Sequence, residues 1–135
     1  MQFPLGISSN PLRVFEKLQE AKAIWTDKGW VVERDLNLSN LELLQLPTTS
    51  KVGGNFWCNN NQLVTLQGAP QSVGGYFWCN NNQLISLQGA PQSVGGGFYC
   101  NNNQLTTLEG APQSVGGSFW CDNNPVELTY VKNLK

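Results

Sequence analysis

Hydrophobic and polar residues alternate in short runs along most of this chain. In one such run, Phe77 and Cys79 alternate with Tyr76 and Trp78, and two leucines follow at wider spacing. A period of two is typical of a short β-strand with one buried face, and it does not fit an α-helix. Pro91 then removes a backbone donor, so the segment that returns to the next strand is expected to be irregular or extended.

The same pattern recurs every 21 residues. A shift of that length superposes four cysteines, three NNNQL strings and three GAPQSVGG strings. Such a period predicts a solenoid, because one short strand cannot bury its apolar face alone, whereas stacked parallel copies form a continuous core. The residues predicted to point inward are Phe56, Phe77, Phe98 and Phe119, Cys58, Cys79, Cys100 and Cys121, Leu63, Leu84 and Leu105, and Leu66, Leu87 and Leu108.

Each unit also carries an asparagine at a fixed place after the strand. These residues are Asn61, Asn82, Asn103 and Asn124. A side-chain amide at this place can satisfy backbone groups where the chain turns out of the strand, which an apolar side chain cannot do. We therefore predict a structural role for this asparagine column.

The unit that begins at Phe77 reads F-x-C-x-x-N-x-L-x-x-L, which resembles the leucine-rich repeat pattern L-x-L-x-x-N-x-L. Phenylalanine and cysteine stand at two of the leucine positions, and the resemblance runs from Leu36 to about Val126. The string SLQGAPQSVGG is similar to short 21-residue repeats in proteins of tailed bacteriophages and some bacteria. The resemblance implies a leucine-rich-repeat-type solenoid and a habit of binding other molecules. It implies no catalytic activity.

The region before the repeats predicts a different structure. Residues 9–11 (Ser-Asn-Pro) are typical of a helix start, and apolar residues follow at helical spacing as far as Trp25. The helix is expected to end near Gly29 and to cover the first strand of the solenoid, in preference to binding a partner. Trp30–Val32 predicts a strand that pairs into the start of the stack.

We therefore predict two parts. Residues 1–35 form an N-terminal helix and capping strand, and residues 36–135 form a solenoid of about four to five rungs with a C-terminal tail. The sequence leaves open whether the tail caps the last rung or leaves an open end for another copy.

The distribution of charge excludes several classes of function. Twelve of the seventeen charged residues lie in residues 1–51, and Glu109 is the one charged residue between Val52 and Cys121. Because the repeats have no basic stripe, we expect no nucleic acid binding. No stretch approaches 18 consecutive apolar residues, and the first residues, MQFPLGISSN, lack the basic region and apolar segment of a secretory signal. We therefore expect no membrane span, no secretory signal and a cytoplasmic protein.

The residue types also argue against catalysis. The chain has no histidine, the commonest general base and metal ligand, and no phosphate-binding loop of the Walker type. We expect no enzyme, no catalytic residues, no metal and no cofactor. Disulfides between the four cysteines are an alternative, but parallel stacked side chains give poor geometry for a bridge, so we predict free, reduced, intracellular thiols.

If phenylalanine and cysteine point inward, the residues between and beside them form the outer face of the strands. Large aromatic residues occupy the central outward position in every unit, at Trp57, Trp78, Tyr99 and Trp120. Amides stand beside them at Asn59, Asn80 and Asn101. Because exposed aromatic patches usually mark contact surfaces, we predict a protein-binding module that uses these seven residues, with a host bacterial protein as the partner that the phage resemblance suggests.

Four alternatives remain open at this point. Aromatic cross-strand pairs can stabilise a sheet without any binding function. The aromatic row could pair two copies in a homo-oligomer, or it could stack on a glycan or another small ligand. Ice binding is the fourth, on the short polar row of Thr65, Ser86 and Thr107.

Overall fold

The computed structural model describes residues 4–126, and the prediction for the C-terminal tail therefore lies almost wholly outside the described residues. One helix and thirteen strands are found in this part of the chain. The N-terminal elements are β1 (Ile7–Ser8), α1 (Pro11–Glu20), β2 (Ile24–Thr26), β3 (Gly29–Val32), β4 (Leu36–Asn37) and β5 (Leu43–Gln45). The repeat elements are β6 (Thr49–Val52), β7 (Phe56–Trp57), β8 (Ser72–Val73), β9 (Phe77–Trp78), β10 (Ser93–Val94), β11 (Phe98–Tyr99), β12 (Ser114–Val115) and β13 (Phe119–Trp120).

The repeats form a solenoid of about four turns. Each turn gives one short strand to each of two parallel sheets, which run in the orders β12-β10-β8-β6-β3-β2 and β13-β11-β9-β7-β4. Val73 pairs with Val94 and Phe77 pairs with Phe98, so the 21-residue repeat of the sequence is the register of both sheets. Antiparallel pairing is confined to the N-terminal region, in β2 with β3 and β1 with β5.

The core lies between the two sheets and the leucines of the return segments. The phenylalanine, cysteine and leucine columns of the first three repeats are at most 2% exposed, which confirms the predicted inward set there. Phe119 and Cys121, in the fourth repeat, are half-buried because no further described rung covers them. A valine column that the sequence interpretation did not assign to the core is also buried, at Val52, Val73 and Val94.

A pair of glycines joins the two strands of each turn and sets how closely the turns approach. A Cβ built on Gly74 would overlap the carbonyl oxygen of Gly53 in the turn below, and the same overlap recurs between Gly95 and Gly74. The corner between the sheets is therefore a column of backbone packed on backbone. Any side chain there would have to push neighbouring turns apart.

The N-terminal helix is shorter than predicted. It ends at Glu20, and Ile24 and Trp25 lie in β2 instead of on the apolar side of a longer helix. Lys22 adopts φ 57°, and Gly29 adopts φ 117° at the turn of a hairpin in which β2 pairs with β3. The β-branched and aromatic residues of both strands favour that hairpin over helix continuation.

Helix α1 packs against β1 and β4 at the start of the solenoid. Val14 and Leu18 are at most 1% exposed and belong to the same core as Leu36, the first residue of β4. The predicted strand at Trp30–Val32 is present, and β3 pairs in parallel with β6. In residues 4–126 no helix is both long enough and apolar enough to cross a lipid bilayer.

Candidate binding site on the aromatic face

The alternation of the strands places large rings on the outside of the second sheet. Phe56 and Cys58 are fully buried, so Trp57 between them must point outward, and the same geometry holds for Trp78 and Tyr99. We call the outward surface of this sheet the aromatic face. Its rings are Trp57, Tyr76, Trp78, Tyr99 and Trp120.

The ladder hydrogen bonds show that the extended backbone continues past each two-residue strand. Cys58 N donates to Trp78 O at 2.8 Å, and Asn60 N donates to Asn80 O at 3.1 Å. The outward position after each ring therefore belongs to the same flat surface. Asn59, Asn80 and Asn101 lie there, beside the rings of their own turns, as predicted from the sequence.

The rings of the aromatic face are less exposed than expected for side chains that point straight into solvent. Trp57, Trp78 and Tyr99 are half-buried, and Trp120 is 56% exposed. Tyr76, which was not among the predicted site residues, is 46% exposed and joins the same surface. The prediction that the large rings meet solvent holds for all of them, but the rings also cover one another.

Three of the rings form a stack. The centroids of Trp78 and Tyr99 are 4.1 Å apart at an interplanar angle of 18°, a distance too short for rings lying side by side. Tyr76 lies 6.3 Å from Trp78 in the same turn and 6.0 Å from Tyr99, at angles of 15° and 4°. Tyr76 and Trp78 therefore form one layer, and Tyr99 lies across that layer in the next turn.

Trp120 ends this stack in a different orientation. Its ring meets Tyr99 at 82° with centroids 5.6 Å apart, so the two rings meet edge to face and are not stacked. Within the described cluster of Tyr76, Trp78, Tyr99 and Trp120, face-to-face contact is confined to the first three rings.

Two of the asparagines beside the rings have a side-chain oxygen without a hydrogen bond to the described residues. The Oδ1 atoms of Asn59 and Asn80 are buried and have no hydrogen-bond partner among the described residues. A buried polar atom without a partner costs about 1–3 kcal/mol, so these two side chains are not optimised for stability. Because their oxygens are covered, they can offer only their NH₂ groups to a partner.

The structural asparagine column behaves as predicted. Asn82 Oδ1 accepts from Leu63 N at 3.0 Å, and its Nδ2 donates to Cys58 O at 3.0 Å and Cys79 O at 3.1 Å. Asn103 repeats these contacts one turn later, on Leu84 N and the carbonyls of Cys79 and Cys100. The column therefore belongs to the core and not to the candidate site.

The cysteines also belong to the core. All four described cysteines are free thiols, and Cys58, Cys79 and Cys100 are buried. Burial raises the pKa of each of these three thiols well above its usual range, which keeps them neutral and unreactive. In Cys121, partial burial raises the pKa first and the nearby Asp122 carboxylate adds to the effect.

A second exposed row was missed by the sequence interpretation. Leu44, Val64 and Ile85 are 48%, 52% and 61% exposed and occupy equivalent positions in successive turns. The signal in the sequence was an aliphatic residue between two inward leucines. The row is shorter than the aromatic face, because the next turn has Thr106 at this position.

The first sheet offers a poorer candidate. A shallow trough of about 560 Å³ runs along its outer side, lined mainly by glycine backbone and by the serines Ser72, Ser93 and Ser114. In residues 4–126, no group of three or more His, Cys, Asp or Glu side chains comes together to hold a metal ion. The aromatic face is therefore the best-developed candidate site.

Comparison with protein-family models, with curated proteins and with solved structures found no match to this chain. The role of the aromatic face therefore has to be argued from its own residues.

Proposed function

We propose that this protein is a non-enzymatic protein-binding module and that the aromatic face is its docking surface. The observation that carries the proposal is a contiguous cluster of Trp and Tyr side chains on the outside of a regular sheet. Tryptophan and tyrosine are the residues most enriched in binding hot spots, and depletion of charge marks the centre of protein interfaces. Between Val52 and Cys121 the sequence has one charged residue.

The stacking of the rings supports this proposal energetically. Binding normally costs about 0.5–1.5 kcal/mol for each flexible side chain that it immobilises. Trp78 and Tyr99 are already held against each other at 4.1 Å, and Tyr76 is held beside them. A partner would therefore meet rings whose conformations are largely fixed before binding.

At the centre of the aromatic face, the same stacking makes a glycan a weaker candidate than a protein. A sugar ring packs on the flat face of an aromatic ring. The facing surfaces of Trp78 and Tyr99 are taken up by their contact with each other, so no sugar ring can stack between them. Protein side chains can pack against the outside of such a stack without needing those faces.

We also propose the finer identity of the fold. The repeat is of the leucine-rich type, because the asparagine of the motif satisfies the backbone where the chain leaves the strand, through the bonds of Asn82. The resemblance of the SLQGAPQSVGG string to phage-encoded repeats favours a bacterial host protein as the partner. The buried free thiols are compatible with a reducing, cytoplasmic location.

The test is capture of proteins from a bacterial lysate by the intact chain and two matched triple variants. The aromatic variant carries Trp57→Ala, Trp78→Ala and Trp120→Ala. The aliphatic variant carries Leu44→Ala, Val64→Ala and Ile85→Ala. Circular dichroism establishes that each variant is folded. We expect the aromatic variant to lose specific capture and the aliphatic variant to retain it.

The opposite pattern, with capture lost only in the aliphatic variant, would reject the aromatic face as the docking surface. Light scattering on the intact chain tests the self-assembly alternative. A dimer at high concentration that the aromatic variant abolishes would show that the partner is a second copy of the chain.

A further inference from the structure

The fourth turn of the aromatic face differs chemically from the turns before it. The outward position after the ring is an asparagine at Asn59, Asn80 and Asn101, but it is an aspartate at Asp122. Trp120 O accepts from Cys100 N at 2.9 Å and Asp122 O accepts from Asn102 N at 3.1 Å, so the backbone between them is extended. Alternate residues of a strand share a face, about 6.6 Å apart. The Asp122 carboxylate therefore lies beside the Trp120 ring.

The Trp120 ring is available for stacking from outside. It is not stacked on Tyr99, which it meets at 82°, and it is 56% exposed, more than any other large hydrophobic residue of the aromatic face. The orientation leaves its flat face out of the stack formed by Tyr76, Trp78 and Tyr99.

Asp122 has no ion-pair partner among the described residues. The ion pairs of the described residues are Arg13–Glu16, Lys17–Glu20 and Lys51–Glu33, all before the uniform repeats. Residues 52–126 contain Glu109 and Asp122 but neither lysine nor arginine. The described part of this surface therefore carries two negative charges and no positive one, so it is complementary to a basic group on a partner.

A planar cation fits a site made of one exposed indole and one neighbouring carboxylate. A guanidinium group stacks on aromatic faces and binds a carboxylate through two parallel hydrogen bonds, which an ammonium group cannot do. We propose that the partner of this protein places an arginine side chain on the Trp120 ring and pairs it with Asp122. The proposal rests on the proposed function, since it names the chemistry of the partner at one end of the aromatic face.

The test is an NMR titration of the full chain with N-acetyl-arginine methylamide, followed at the Trp120 indole N–H and the Asp122 amide. N-acetyl-citrulline methylamide, which has the same shape without the charge, is the probe control. Asp122→Asn introduces the residue that the other turns carry, and Glu109→Gln removes the other negative charge of the repeats. We expect both signals to shift with the arginine probe and to shift much less with citrulline.

We expect Asp122→Asn to weaken binding of the arginine probe about two- to fivefold, as expected for an exposed ion pair, and Glu109→Gln to leave it unchanged. Equal shifts with arginine and citrulline, or equal effects of the two charge variants, would overturn the proposal. The lysate experiment tests the proposed function independently of this titration. If the aromatic variant loses capture but the arginine site fails these tests, the aromatic face is still the docking surface, and the arginine of the partner is rejected.

Discussion

The phenol ring of Tyr99 occupies the space that a side chain on Gly97 would need. A Cβ built on Gly97 would overlap the Tyr99 hydroxyl oxygen and come within 2.6 Å of the ring carbon that bears it. Gly97 is itself buried, because the ring covers it. The absence of a side chain at this position is therefore what allows Tyr99 to lean across the layer formed by Tyr76 and Trp78.

Gly97→Asn should displace the Tyr99 ring and break its stack on Trp78. Aromatic pairs contribute about 0.5–1.5 kcal/mol beyond the area they bury, so we expect a loss of unfolding free energy of that size. The near-ultraviolet circular dichroism of the aromatic cluster should weaken at the same time.

The control for this substitution is Ser118→Asn, which places the same side chain at the equivalent outward position one turn later, where Ser118 is exposed. Its unfolding free energy and aromatic spectrum should match those of the unchanged chain. If Gly97→Asn also leaves the spectrum unchanged, Tyr99 does not depend on the space at Gly97.

This relationship shows which part of the site could be read from the sequence. Strand alternation placed Phe77 and Trp78 on opposite faces, and the match of Phe77 to a leucine position of the repeat motif assigned it to the inside, where it is buried. The variation at the neighbouring position, where Tyr76 and Gly97 are equivalent, looked free of constraint. The structure shows that this position is constrained by contacts with the Tyr99 ring, which stacks on Tyr76 and covers Gly97. Those contacts depend on ring rotamers, which the sequence pattern does not encode.

The first sheet, which contains the valine strands, was missed for a related reason. Val73 is one apolar residue between Ser72 and Gly74, and one residue is too short a run to show alternation. It becomes a strand only because Val52 and Val94 stack on either side of it. At the N-terminus, helical spacing through Trp25 competed with a hairpin, and the pairing of Trp25 with Trp30 decided for the hairpin.

Asn82→Ala should be among the most destabilising single substitutions in the repeats. It leaves Leu63 N without its partner in the core, and it removes one of the two amide donors to Cys58 O and to Cys79 O, which keep those of Asn61 and Asn103. A buried group left unpaired costs about 1–3 kcal/mol and the two weakened carbonyls add to that cost, so we expect a loss of about 2–3 kcal/mol in urea unfolding.

Asn81→Gly is the matched control for that measurement. Asn81 is exposed and has φ 58°, a conformation that glycine adopts freely, and among the described residues its side-chain amide donates to the side chain of Asn60. We expect a change of less than about 1 kcal/mol. Equal losses in the two variants would contradict the structural role of the buried column.

Gly74→Ala should destabilise the solenoid by forcing two turns apart. The added methyl group would overlap the carbonyl oxygen of Gly53, which is backbone and cannot move aside alone. Reduced freedom of the unfolded chain would favour alanine by about 0.4–1 kcal/mol, but the strain of overpacking typically costs about 1–3 kcal/mol and should prevail.

Thermal or urea unfolding of Gly74→Ala is best compared with Ser93→Ala, an exposed position in the next strand of the same sheet. Ser93→Ala should unfold within about 0.5 kcal/mol of the unchanged chain. A stabilised Gly74→Ala variant would mean that the turns are not in the close contact seen at this corner.

The buried thiols should make the fold sensitive to alkaline pH. Burial raises the pKa of Cys58, Cys79 and Cys100, so these thiols stay protonated in the folded chain, whereas in the unfolded chain they ionise from about pH 8.5. The folded state then holds more protons than the unfolded state. Stability should therefore be fully present below about pH 8.5 and fall as the pH rises, by up to about 1.4 kcal/mol per pH unit for each thiol.

Urea unfolding between pH 7 and pH 10 in the presence of a reductant measures this slope. Other groups that ionise in the same range contribute equally to the unchanged chain and to a Cys79→Ala variant. The difference between their slopes therefore isolates one buried thiol. We expect Cys79→Ala to be less stable at pH 7, because it leaves a cavity, but to lose stability less steeply above pH 8.5. Parallel slopes in the two proteins would show that Cys79 is not held neutral by the fold.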